Sequence, residues 1–146
     1  MNIAFLVNNL SKSEIMHELI ELTNKNNLNY SIQIFFQNIS PPMDDLKVLT
    51  MNVYGLSEYT GKLVCCGMEQ AIFANTNKSK TENYLYLPSL VWMQKPVLYD
   101  EIIKTITGFK KIFVPSEDYK NIVYNLSGFD NIHIVKDFED MLSCLN

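Results

Sequence analysis

The chain has 146 residues, 47% of them apolar and 19% charged, with a net charge of −4 and 12 basic side chains that are all lysine. Such a balance fits one globular domain around one core and excludes a disordered tail; the length excludes a barrel of eight strand–helix units. The charge excludes a broad basic field for nucleic acid, and without arginine there is no bidentate fork for a phosphate, a carboxylate or a guanine edge.

In chain order, Asn2–Val7 is a short apolar run of the kind buried on both faces of a parallel sheet. Ser11 and Glu14 form a capping box, with Ser13 a second candidate cap, ahead of a helix carrying Ile15, Leu19, Ile20 and Leu22. The cluster Asn24-Lys25-Asn26-Asn27 stops that helix. Tyr30–Phe36 reads as a second strand, and Pro41-Pro42 breaks the chain after it. Lys47–Val53 is a weaker strand and Lys62–Cys66 a stronger one, with Gly67 free to make the sharp turn into a helix through Glu69–Ala74. Asn75–Asn83 is loop-like, and Tyr84–Leu87 is a strand ended by Pro88.

Val97–Thr107 has helical spacing closed by Gly108. Lys111–Val114 is a strand, and Ser116 caps the next helix, with Glu117 and Asp118 answering the helix dipole and Gly128 ending it. Asn131–Val135 is a last strand, and Asp137 caps a last helix, Phe138–Leu145. Strand and helix alternate from end to end with no internal repeat. The expected architecture is therefore α/β: one domain over residues 1–146, a single open, mostly parallel, Rossmann-like sheet with helices on both faces.

No run of 18 apolar residues is present, so no membrane span is expected, and Met1–Leu10 lacks the basic start and cleavage site of a secretory signal. Cys65, Cys66 and Cys144 are an odd count without metal-ligand spacing; as strand neighbours, Cys65 and Cys66 point to opposite faces. They read as small apolar residues of a reduced, cytoplasmic protein.

Ligands of an open parallel sheet bind outside the carboxyl ends of its strands, near the reversal of strand order, which narrows the search to four loops. The loop after the first strand, Asn8-Asn9-Leu10-Ser11, has no glycine where a dinucleotide binder has three, and no Gly-x-x-x-x-Gly-Lys-Ser/Thr phosphate loop occurs anywhere. Asn8 and Asn9 have the groups to bond a sugar hydroxyl or a base edge, and asparagine is equally a turn former. Gly67 and Met68 open one helix and Ser116 another, where unpaired N–H groups attract anions; Glu69 behind the first, and Glu117 with Asp118 behind the second, would repel a phosphate. Ser89 and Trp92 follow the Tyr84–Leu87 strand, and Trp92 can stack on a sugar or base, anchor a partner or pack on the sheet. Glu69 is the one loop carboxylate to consider as a general base. His17 and His133 lie away from these loops, and no nucleophile–base pair, metal set or cofactor motif assembles.

Lys111-Ile112-Phe113-Val114-Pro115-Ser116-Glu117-Asp118-Tyr119 resembles a phrase in the acceptor-side, amino-terminal half of the two-domain GT-B glycosyltransferases. Tyr84–Trp92 is similar to a strand of small proteins from large tailed phages of marine cyanobacteria that reads apolar residues, then Asp-Leu-Glu-Trp; Ser89 and Val91 stand here in place of the acids. Val135-Lys136-Asp137-Phe138 also looks like those phage proteins. The resemblance implies one half of a cleft enzyme whose donor-gripping half has no counterpart here. The expectation is thus a stand-alone, non-catalytic module binding a small molecule (a sugar or nucleotide) or a protein partner, without cofactor, nucleic acid or membrane. The alternatives are a half-glycosyltransferase completed by a homodimer or a second chain, and a virion component.

Overall fold

A strand with apolar residues on both faces is stable only inside a sheet covered on both sides, and such strands form the centre of the sheet found here. The computed structural model describes residues 1–25, 30–77, 80–94 and 98–145. Its strands are β1 (Asn2–Val7), β2 (Ser31–Phe36), β3 (Leu49–Asn52), β4 (Lys62–Cys66), β5 (Glu82–Tyr86), β6 (Lys111–Val114) and β7 (Ile132–Ile134). They form one sheet in the order β3-β2-β1-β4-β5-β6-β7, and every pairing is parallel. The expected α/β, Rossmann-like architecture is what the chain adopts, with a wholly parallel sheet.

The helices are α1 (Glu14–Asn24), α2 (Met68–Thr76), α3 (Tyr99–Thr107), α4 (Glu117–Ser127) and α5 (Phe138–Ser143). On one face of the sheet α1 and α5 bury Met16, Leu19, Phe138 and Met141 against Ile3, Phe5, Val64 and Tyr84. On the other, α2, α3 and α4 bury Ala71, Ile106 and Val123 against Ala4, Leu63, Leu85 and Ile112. Cys65 and Cys66 fall in these two different cores and are free thiols, as adjacent strand residues must.

Local chemistry moves several boundaries. Ser13, not Ser11, caps α1: its hydroxyl accepts from the Met16 N–H at 3.2 Å. Ser11 is held instead by Asn9, whose side-chain oxygen accepts from the Ser11 N–H and hydroxyl. Asn24 ends α1 and Lys25 follows as its cap, while Asn26 and Asn27 of the expected stop lie outside the described residues. Lys47–Val53 shrinks to β3, which pairs from Leu49 opposite Gln33 to Asn52 opposite Phe36, the last residue of β2. An unforeseen 3₁₀ turn, Val53–Glu58, follows, started by the Asn52 side chain on the Tyr54 N–H. A second one, Val91–Gln94, carries Trp92. α3 begins at Tyr99, and Val97 lies outside the described residues. Ser116, Gly128 and Asp137 cap as expected; Gly128 takes the left-handed φ of 69° that ends α4.

Two lysines at the opposite end of the sheet fasten the last turn. The Lys62 ammonium donates to the Leu145 carbonyl, and that of Lys111 donates to the Cys144 carbonyl at 2.6 Å. Cations there answer the carbonyls that a helix end leaves unpaired.

Candidate functional site

The strand order reverses between β1 and β4: the chain runs from β1 outward to β2 and β3, then returns to β4 on the other side of β1. Successive crossovers leave that point on opposite faces, so the loops beyond the carboxyl ends of β1 and β4 part and open a crevice. A cleft of about 260 Å³ lies there. Asn8 stands at its β1 side, Cys66 and Gly67 at the end of β4, and Leu87, Pro88 and Ser89 beyond β5. Helices complete it with Ile15 from α1, Met68, Glu69, Gln70 and Ile72 from α2, and Ile102 from α3. Val91, Trp92 and Leu98 finish the wall.

Of the residues singled out in the sequence, the cleft gathers Asn8, Gly67, Met68, Glu69, Ser89 and Trp92. Asn9 and Ser116 are not in its lining. Asn9 is turned onto Ser11, and Ser116 caps α4, accepting from the Tyr119 N–H at 3.4 Å. Of the two histidines, His17 is exposed on α1, and His133 on β7 bonds Asn131 at 2.8 Å.

The polar side chains of the cleft are largely committed to one another. Asn8 accepts from the Asn38 side chain at 2.6 Å, and the Asn38 N–H donates to the Asn8 carbonyl at 2.8 Å. Gln70, only 5% exposed, donates to the Gln37 side chain at 2.6 Å. These pairs draw the loop after β2 over the end of β1. A buried amide without such a partner would cost on the order of 1–3 kcal/mol. Sequence reasoning missed Gln70 and Gln37. The signal for Gln70 was its place three residues beyond Gly67, where a first-turn side chain folds back toward the helix start. Gln37 had none, because its role depends on β2 lying beside β1.

Gly67 takes φ 137°, and a Cβ there would come within 2.8 Å of the Gln70 side-chain oxygen. It gives α2 no side-chain cap. Burial raises the Cys66 thiol well above its ordinary value, with Cys65 and Glu18 adding to the shift, so the thiol stays protonated at neutral pH and is no nucleophile. The Trp92 indole packs against the core, and its N–H is buried with no acceptor among the described residues. Glu69 is exposed on the first turn of α2 and is the one charged residue of the described lining. Among the described residues no group of three or more His, Cys, Asp or Glu is placed to hold a metal ion. No described helix is long and apolar enough to cross a membrane.

This is an apolar cleft with a few amide and hydroxyl groups at its mouth and, among the described residues, no cation. It can desolvate and orient a small neutral body; its described residues assemble neither an acid–base pair nor a grip for phosphate. No protein-family model, curated protein or solved structure matches the chain.

Proposed function

We propose that the chain is a non-catalytic Rossmann-like binding module whose cleft takes a small, uncharged, ring-sized molecule. The observation that carries this reading is the apolar crevice at the strand-order reversal, walled by Ile72, Leu87, Trp92 and Ile102 and, among the described residues, lined by no lysine. Burying a ring there gains roughly 25 cal/mol for each Å² of apolar surface removed from water. Among the described residues the lining offers a phosphate neither arginine nor lysine, which sets this reading ahead of a half-glycosyltransferase holding a nucleotide-sugar. The buried Trp92 N–H would gain an acceptor from a ligand oxygen.

Trp92 is the only tryptophan, so its fluorescence reports on the cleft directly. Cyclohexanol, benzyl alcohol and adenosine are titrated against UDP-, GDP- and ADP-sugars, with calorimetry alongside. Saturable binding of a neutral compound, lost in Ser89→Phe at the rim, with no response to the nucleotide-sugars, is the expected outcome. Micromolar binding of a nucleotide-sugar that disappears on changing Asn8 or Glu69 would sink the non-catalytic reading and favour the half-enzyme.

A further inference from the structure

The hydrogen-bonding groups of the cleft are unevenly spent. Its acceptors are engaged. The Asn8 side-chain oxygen takes the Asn38 amide at 2.6 Å, and the Asn8 carbonyl takes the N–H groups of Gln37 and Asn38. The Gly67 carbonyl takes the Ala71 N–H at 3.1 Å, and the Gln70 side-chain oxygen folds back over Gly67, 2.8 Å from where a Cβ would stand. Its donors are left over. The Trp92 indole N–H is buried without an acceptor among the described residues. The Asn8 amide nitrogen has none there either, although Asn38 fixes that carboxamide by its oxygen. α2 opens on Gly67 without a side-chain cap, so the Met68 N–H is also unanswered. A helix start alone would be satisfied by water, but a buried indole N–H is out of its reach. These donors come from the loop after β1, the start of α2 and the 3₁₀ turn Val91–Gln94, and all three residues line the same cleft.

Given the ligand-binding reading above, on which this rests, we infer that the cleft recognises a ring carbonyl: a cyclic ketone, lactone or N-substituted lactam that brings acceptor lone pairs and no donor. A carbonyl oxygen has two lone pairs in the plane of its substituents, which suits donors reaching it from different walls. An alcohol of nearly the same size can also take the Trp92 N–H. Its own O–H then enters an apolar wall whose described acceptors are already engaged, and that unmade bond counts against it. A carboxylate has lone pairs to offer, but its charge is answered by no lysine of the described lining. Selection here turns on unpaired groups and not on shape.

Calorimetry on the intact protein compares cyclohexanone, cyclohexanol and cyclohexanecarboxylate. Cyclohexanone is expected to bind about tenfold tighter than cyclohexanol, and the carboxylate more weakly than both. Trp92→Phe keeps an aromatic ring and removes the N–H, and it should weaken the ketone about fivefold with the circular dichroism unchanged. Asn8→Asp keeps the oxygen that Asn38 holds and turns the neighbouring donor into an acceptor, so it should reverse the order and favour the alcohol. Equal binding of ketone and alcohol by the wild type, or a ketone indifferent to Trp92→Phe, overturns the carbonyl inference and leaves the binding reading standing. A carboxylate that binds tightest overturns both the carbonyl and the uncharged ligand. Silence from all three rings up to their solubility removes the binding reading itself, and the carbonyl inference with it.

Discussion

Gly67 stands at a φ that L-residues rarely adopt, with the Gln70 side-chain oxygen where a Cβ would be. Gly67→Ala is expected to destabilise the protein by about 1–3 kcal/mol, read by urea denaturation. It should also displace Gln70 from Gln37, so that a Gln37→Ala change in the Gly67→Ala background costs less than it does in wild type. Glu18 on α1 gives a second expectation. Burial, followed by Glu14, Asp137 and Glu21, raises its carboxyl above the ordinary 4.5, and one of its oxygens is buried without a partner among the described residues. An acid raised on folding lends stability below its unfolded pKa and loses it as pH climbs through the folded one. Glu18→Gln should therefore melt higher than wild type at pH 7, with the gap closing below pH 4.5. At this scale the sequence was partly silent. The abundance of asparagine made Asn8 and Asn9 look interchangeable, but one lines the cleft and the other holds a turn, a difference set by where Asn38 and Ser11 lie.

Elements were more legible than residues where the apolar pattern was unbroken. β1, β4 and β6 span the expected residues, while β5, read as Tyr84–Leu87, runs from Glu82 to Tyr86. β3 and β7 came out shorter than expected, and their carboxyl ends fall where their single neighbours end, at Phe36 and Val114. The start of α1 was read two residues too early, as Ser11 and Ser13 both satisfy a capping pattern and only Asn9 decides between them. Ser13→Ala should cost about 1 kcal/mol of stability and Ser11→Ala less than about half of that, compared by urea midpoints of the two variants.

For the whole molecule, alternation of elements sufficed for a parallel sheet covered on both faces but not for the order of its strands. That order brings the loops after β1, β4 and β5 around one cleft and leaves the Ser116 loop after β6 outside it. The want of arginine and of a glycine loop, visible in the sequence, agrees with a crevice whose described lining holds no cation. Its apolar walls were not legible, because Ile15, Ile72 and Ile102 look like any helix residues facing a core.

The arrangement of α5 also sets an order in time. Phe5 of the first strand packs edge-on against Phe138 at 5.1 Å, and Tyr86 meets the same ring at 5.2 Å. A ribosome delivers residue 5 long before residue 138, so although α1 covers part of this face early, Phe5 and Tyr86 lack their aromatic partner through most of synthesis. Closure waits for the segment that brings Phe138, Met141 and Leu142 onto Phe5 and Val64, and for Lys62 and Lys111 to take hold of the Leu145 and Cys144 carbonyls. Contacts of such long sequence separation form slowly, so the docking of this helix comes late.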